Sequence, residues 1–116
     1  MTTPEPEWTV EFYTDARGRS AVGEFIDALP IRDRPKVRNE LRLLREFGVL
    51  LQPPHARHIR RRLWELRPGA IRLFYFVHTG RRIIVLHGFR KKTRRTPRGE
   101  IAAAERRMAE FLGGEQ

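Results

Sequence analysis

Arg60-Arg61-Arg62-Leu63-Trp64-Glu65-Leu66-Arg67, Ile71-Arg72-Leu73-Phe74-Tyr75-Phe76-Val77 and Arg81-Arg82-Ile83-Ile84-Val85-Leu86-His87-Gly88 follow one another with only short breaks. Each stretch is rich in the β-branched, aromatic and large aliphatic residues that fit a pleated surface. The breaks, Pro68-Gly69 and His78-Thr79-Gly80, have hairpin length and hairpin residue types. The spacing predicts three strands, over about 60–67, 70–77 and 81–88, joined as an antiparallel meander.

Upstream, Trp8-Thr9-Val10-Glu11-Phe12-Tyr13-Thr14 alternates apolar and polar residues and reads as a first strand. Asp15-Ala16-Arg17-Gly18 is a turn. Ser20 is placed to cap a helix over 21–29, with Val22, Phe25, Ile26 and Leu29 on one face and Pro30 ending it. Asp33 is placed to cap a second helix, on which Val37, Leu41, Leu44 and Phe47 recur at helical spacing before Gly48 stops it. These two make a helical hairpin. Residues 49–59, with Pro53-Pro54 and two histidines, are expected to form a loop. Downstream, 89–95 is a basic loop, and Thr96-Pro97 opens a third helix to about 112 with Ile101, Ala104, Met108 and Phe111 inward. The expected order is β-α-α-β-β-β-α, an α+β fold in one domain over 8–112, between a Pro/Glu-rich lead-in at 1–7 and a tail at 113–116.

The charge is lopsided. Of 24 basic residues, sixteen fall between Arg57 and Arg107, against Glu65, Glu100 and Glu105 alone. The first 56 residues carry eight basic and nine acidic groups. Such a one-sided cationic surface, mounted on strands rather than on a flexible tail, fits a polyanion such as RNA or DNA. Arginine outnumbers lysine 21 to 3. That bias suits bidentate phosphate contacts, although a genome that favours arginine codons produces the same ratio. The absence of cysteine excludes a disulfide framework and suits a reducing cytoplasm. No apolar run reaches membrane-spanning length, and the N-terminus does not read as a signal peptide.

Side-chain alternation puts Leu63, Glu65 and Arg67 on one face of their strand, and Arg72, Phe74 and Phe76 on one face of the next. If the helices cover only the other face, Arg67 and Arg72 stand together on an open one. There, two guanidiniums can hold a phosphodiester and stabilise the charge that builds on its oxygens. Glu65, the single acid of the basic strands, is expected to pair with one of them, with action as a base the alternative. His87 ends the last strand and is a candidate acid or base. Arg90-Lys91-Lys92-Thr93-Arg94-Arg95 is dense enough to grip a nucleic-acid backbone, and Arg60 and Arg62 extend that surface. Tyr75 is expected in the core, and Arg98, Arg106 and Arg107 at ordinary exposed positions. The histidines have no metal-ligand spacing with a carboxylate, and no Gly-rich phosphate loop is present. No metal or cofactor is expected.

The run Leu63-Trp64-Glu65-Leu66-Arg67, then Ile71-Arg72-Leu73-Phe74-Tyr75, then Leu86-His87-Gly88-Phe89-Arg90-Lys91-Lys92-Thr93, Thr96-Pro97 and Glu100-Ile101, with Ala104 and Arg107, resembles the HigB-like, phage-derived branch of the RelE/ParE toxin superfamily. The resemblance covers about 8–112. It implies a RelE-like fold, a small antiparallel sheet flanked by an N-terminal helical hairpin and a C-terminal helix. It also implies the toxin of a type II toxin–antitoxin system, a metal-independent endoribonuclease that cleaves mRNA on the ribosome and inhibits translation. By position, Arg67 and Arg72 match the family's sheet arginines, and Lys91 matches the basic residue after the last strand, with Lys92 a possible substitute. His87 matches a motif position of open role. Implied partners are a helix-turn-helix, HigA-like antitoxin, mRNA and the ribosome, and operator DNA only as the toxin–antitoxin complex; no membrane is implied. The chain departs from the best-known RelE members, whose second-strand lysines are replaced by Leu63 and Glu65 and whose tyrosine after the last strand has no match. Two alternatives stay open: a non-catalytic, ParE-like gyrase inhibitor, or a basic toxin-fold protein acting mainly through antitoxin and DNA binding.

Overall fold

The computed structural model describes residues 7–114. Most of the lead-in, and the last two residues of the tail, therefore lie outside the described residues. Five strands form one sheet: β1 (Thr9–Phe12), β2 (Ala56–Arg60), β3 (Leu63–Leu66), β4 (Ile71–His78) and β5 (Arg82–Arg90). Their order across the sheet is β1-β5-β4-β3-β2. The strands from β2 to β5 pair antiparallel as a meander, and β1 lies parallel to β5. The helices are α1 (Ala21–Asp27), α2 (Arg34–Phe47) and α3 (Arg98–Gly114).

Local chemistry accounts for most boundaries. Ser20 caps α1 by accepting a hydrogen bond from the Gly23 amide at 3.0 Å. At the end of α2, Gly48 adopts φ 52°, and a Cβ there would lie 2.2 Å from the Trp8 indole, so only glycine fits. Asp33 does not cap α2, as its position had promised; its carboxylate takes a bond from Arg90 instead. Phe47, expected inward, is exposed.

The meander begins earlier than the sequence pattern suggested. Residues 56–59, expected in a loop, form the edge strand β2 together with Arg60, expected to open the next strand, and the chain turns at Arg61, which takes a φ of 51°. The signal is weak because Ala-Arg-His-Ile-Arg buries little beyond Ala56 and so has no clear alternation.

The second correction concerns the faces. Both sides of the sheet are covered. Ile71, Leu73 and Tyr75 pack with Val22, Leu29, Val37 and Leu44 of the helical hairpin. Phe74, Phe76, Leu63, Ile84 and Leu86 pack instead under α3, against Ala104, Ile101, Met108 and Phe111. Six consecutive residues of β4, from Ile71 to Phe76, are therefore buried, as a strand between two layers requires. The arginine-bearing face is not open: α3 roofs it, and only its margin beyond the helix remains.

Candidate functional site

That margin is where the charge collects. Strand pairing aligns Arg57, Glu65, Phe74 and His87 in one row across four strands. One step further along, Arg72 stands opposite Phe89, and the amide of Lys91 donates to the Ala70 carbonyl at 2.8 Å. Two polar clusters result, separated by the buried ring of Phe74.

The first cluster surrounds Glu65, whose side chain is 0% exposed. The Nε of Arg67 lies 3.5 Å from Glu65 Oε1, and the Nε of Arg72 lies 3.7 Å from the same oxygen. Neither Glu65 oxygen accepts a hydrogen bond among the described residues, nor do these two Nε atoms donate one. The pairing expected for Glu65 is present, but in a buried position, as ion pairs longer than hydrogen bonds. The two arginines differ. Arg72 is 10% exposed, and its Nη1 donates to the carbonyls of Gly69 and Ile71 at 2.6 and 2.8 Å. Burial lowers its pKa, the charges of Arg67 and Arg57 push the same way, and Glu65 opposes them. Arg67 is 31% exposed and commits only its Nε to Glu65. Of the pair, Arg67 is the one that can meet a ligand directly.

The second cluster surrounds His87, whose side chain is 15% exposed. Arg107 reaches Nδ1 at 3.0 Å and the Leu86 carbonyl at 2.9 Å. A guanidinium only donates, so Nδ1 is the acceptor, the ring is neutral, and Nε2–H donates to Glu100 at 3.1 Å. Burial lowers the His87 pKa against the opposing pull of Glu100. Both ring nitrogens are therefore engaged, and one bond must break before His87 can exchange a proton. Arg107, expected at an ordinary exposed position, is partly buried and clamps α3 to the sheet.

The remaining cations divide likewise. Arg90 donates to Asp33 at 2.6 Å and holds that carboxyl below its usual pKa. Arg62 donates to the Val77 carbonyl at 3.0 Å and lies over the Phe76 ring. Arg60 faces Glu105 at 3.7 Å. Lys92, Arg94 and Arg95 are exposed and Lys91 half-buried, beside a cleft of about 500 Å³ lined by Phe89, Arg90, Lys92, Thr93, Pro97 and Glu100. Tyr75 is buried, and burial raises its pKa. Missing from the sequence reading were Arg57, Glu100 and the bracing role of Arg107. Register alone exposes the first; the other two need the placement of α3.

A family model, Phage derived protein Gp49-like (DUF891), matches residues 24–109. The chain belongs to this phage-derived family. Among proteins with curated descriptions, none matches its sequence. Among solved structures, a chain of the archaeal RelE–RelB complex from Pyrococcus horikoshii OT3 superposes with a TM-score of 0.60 at 15% identity, over 76% of this chain and 98% of that one. A chain of the RelBE2 toxin–antitoxin complex from Mycobacterium tuberculosis gives a TM-score of 0.47 at 16% identity, over 76% and 95% of the two chains. The fold of this Gp49-like protein is RelE-like. No helix among the described residues is long and apolar enough to cross a membrane.

Proposed function

We propose that this Gp49-like protein is the toxin of a toxin–antitoxin pair and acts as a metal-independent endoribonuclease on translated mRNA. The observation that carries the reading is the cluster around Glu65: guanidiniums outnumber the carboxylate at the margin of the sheet, and Lys91 follows from the neighbouring strand. The RelE-like fold and the family support it.

RNA brings its own nucleophile, the 2′-hydroxyl. Its oxygen attacks the adjacent phosphorus, the P–O5′ bond breaks, and a cyclic phosphate and a 5′-hydroxyl result. The protein has to align the strand, stabilise the added charge on the phosphorane and move two protons. Arg67 meets the phosphate, and Arg72 anchors the cluster from below. Lys91 assists proton transfer in this reading, with Lys92, next in sequence, as its substitute. Arg94 and Arg95 hold the flanking backbone, and Arg60, Arg62 and Arg90 contribute through long-range charge while bracing the fold. His87 exchanges a proton only if its bond to Glu100 or Arg107 opens. The partner is an antitoxin, helix-turn-helix in type, drawn by the basic surface in the cytoplasm; operator DNA is met only in that complex.

Induced expression with genome-wide mapping of mRNA 5′ ends, run beside a gyrase supercoiling assay, tests the reading. New 5′ ends within coding regions, with supercoiling unchanged, are expected. Loss of supercoiling with intact mRNA overturns it in favour of gyrase inhibition.

A further inference from the structure

We propose that Glu65 is the positioning residue of an anion cradle whose third arm is Arg57, so that Arg57 and Arg67 grip one phosphodiester while Arg72 secures the carboxylate beneath them. The proposal rests on the RNA-cleaving reading above and adds a residue and a division of labour to it.

Register places Arg57 directly opposite Glu65 on the edge strand. Directly opposed residues of an antiparallel pair bring their Cβ atoms within about 5.5 Å. Arg57 is exposed, and among the described residues its side chain makes no hydrogen bond or ion pair. Its charge is nonetheless felt at Arg72, as is that of Arg67. Two guanidiniums thus face one carboxylate, and a third, that of Arg57, belongs to the residue opposite it across the strand pair. Such a group is unfavourable unless an anion lies at its centre. Glu65 supplies one negative charge from below, and the cluster still carries a surplus of two cations. A phosphodiester, with one negative charge and two bridgeable oxygens, fits the outward side.

The division of labour follows from exposure. Arg72 has its Nη1 committed to the Gly69 and Ile71 carbonyls and its Nε facing Glu65. Arg67 is partly exposed and Arg57 is exposed. Glu65 itself cannot serve as the base, because it is fully buried and a 2′-hydroxyl cannot reach its oxygens. It acts through the arginines.

The test uses the full chain and a fluorescent 12-nucleotide RNA carrying 2′-O-methyl groups throughout, which cannot cleave, titrated at several salt concentrations. Arg57→Gln is expected to weaken binding about 3- to 10-fold and to lower the slope of log affinity against log salt by about 0.7. The melting temperature should stay unchanged, since the residue is exposed. Unaltered affinity and slope would overturn the cradle, and this arm is independent of whether the native chain cleaves RNA. Cleavage of unmodified RNA on programmed ribosomes, under single-turnover conditions, tests Glu65. Glu65→Gln should keep binding but cleave ~100-fold more slowly, the scale of a small misplacement of reacting groups. The shape of its pH–rate profile should persist, and Glu65→Asp should recover part of the rate. Native cleavage in Glu65→Gln, or loss of the acid limb of the profile, overturns the positioning role. If Glu65→Gln does not fold, Glu65→Asp decides the positioning role instead: slower cleavage with binding kept is expected, and native cleavage overturns it. A native chain that binds through Arg57 yet never cleaves would reject the nuclease reading and leave the cradle standing.

Discussion

The two polar clusters under the edge of α3 each set arginine beside a glutamate, and Glu65 and His87 lie on one row of the sheet, yet the clusters differ in how far their polar atoms are satisfied. Around His87, the Glu100 and Arg107 side chains satisfy both ring nitrogens. Around Glu65, both carboxylate oxygens and the Nε atoms of Arg67 and Arg72 lack hydrogen bonds among the described residues, and cations are in surplus. A closed network of charged hydrogen bonds rigidifies a fold. An open one with excess charge stores an attraction for something that arrives later. The contrast assigns structure to the cluster around His87 and ligand to the cluster around Glu65, although His87 carries the more familiar catalytic side chain.

The largest effect should come from the open cluster. Arg67→Ala is expected to slow single-turnover RNA cleavage by ~10²–10³, the loss typical of one donor to a developing oxyanion. Its thermal melting should barely move, because a partly exposed ion pair contributes about 1 kcal/mol or less. A folded Arg67→Ala protein with native cleavage would break the contrast at its functional end.

Arg72→Ala should behave differently from its neighbour. Its removal strips Glu65 of its buried partner, a loss of about 3–5 kcal/mol in comparable cases. Urea denaturation should show this directly. The sequence had suggested an arginine on an open face; 10% exposure and two backbone carbonyl partners argue otherwise. If Arg72→Ala unfolds at the native urea concentration, the carboxylate is not held as described.

The closed cluster should give a smaller and purely structural response. Arg107→Ala leaves the Leu86 carbonyl and His87 Nδ1 without their donor. Hydrogen bonds to charged groups contribute about 1.5–3 kcal/mol, so melting should fall by roughly 5–10 °C. RNA affinity of the folded variant should drop only as far as one lost charge dictates. A loss of cleavage without a loss of stability would move this cluster into the chemistry.

The difference between the clusters also marks what could be read from the chain. Alternation in Leu63-Trp64-Glu65-Leu66-Arg67 put Glu65 and Arg67 on one face, and β-rich composition with short breaks identified the meander. Helical spacing and the Ser20 cap identified α1 and α2. Periodicity, however, says which side chains share a face and not which element covers it. The inward residues of α3 were recognisable, but nothing in them says that they roof the arginine side. The edge strand was hidden because an edge buries little, and with it went the register that sets Arg57 against Glu65. Once that register and the position of α3 are known, the burial of Glu65 and the bracing role of Arg107 follow.

The smallest effect is a pH dependence, and it tests the closed cluster most directly. Burial lowers the His87 pKa below the ordinary 6.5, with Arg107 and Arg106 adding to the shift and Glu100 opposing it. The folded chain therefore refuses a proton that the unfolded chain accepts. Where the unfolded state binds more protons, stability rises with pH. The contribution of neutral His87 is thus present above about pH 6.5 and is lost as the pH falls below it. Because Glu100 pulls the other way, the slope should be shallow. His87→Gln cannot titrate, so the stability difference between native protein and variant should shrink from pH 7 to pH 5, measured by urea denaturation at constant ionic strength. The other histidines are common to both chains and cancel. A difference that stays constant would mean that the ring takes up its proton as freely folded as unfolded, and one that grows as the pH falls would mean that the fold holds a protonated ring. Nδ1 would then be a donor and could not accept from Arg107, and the cluster around His87 would be as open as the one around Glu65.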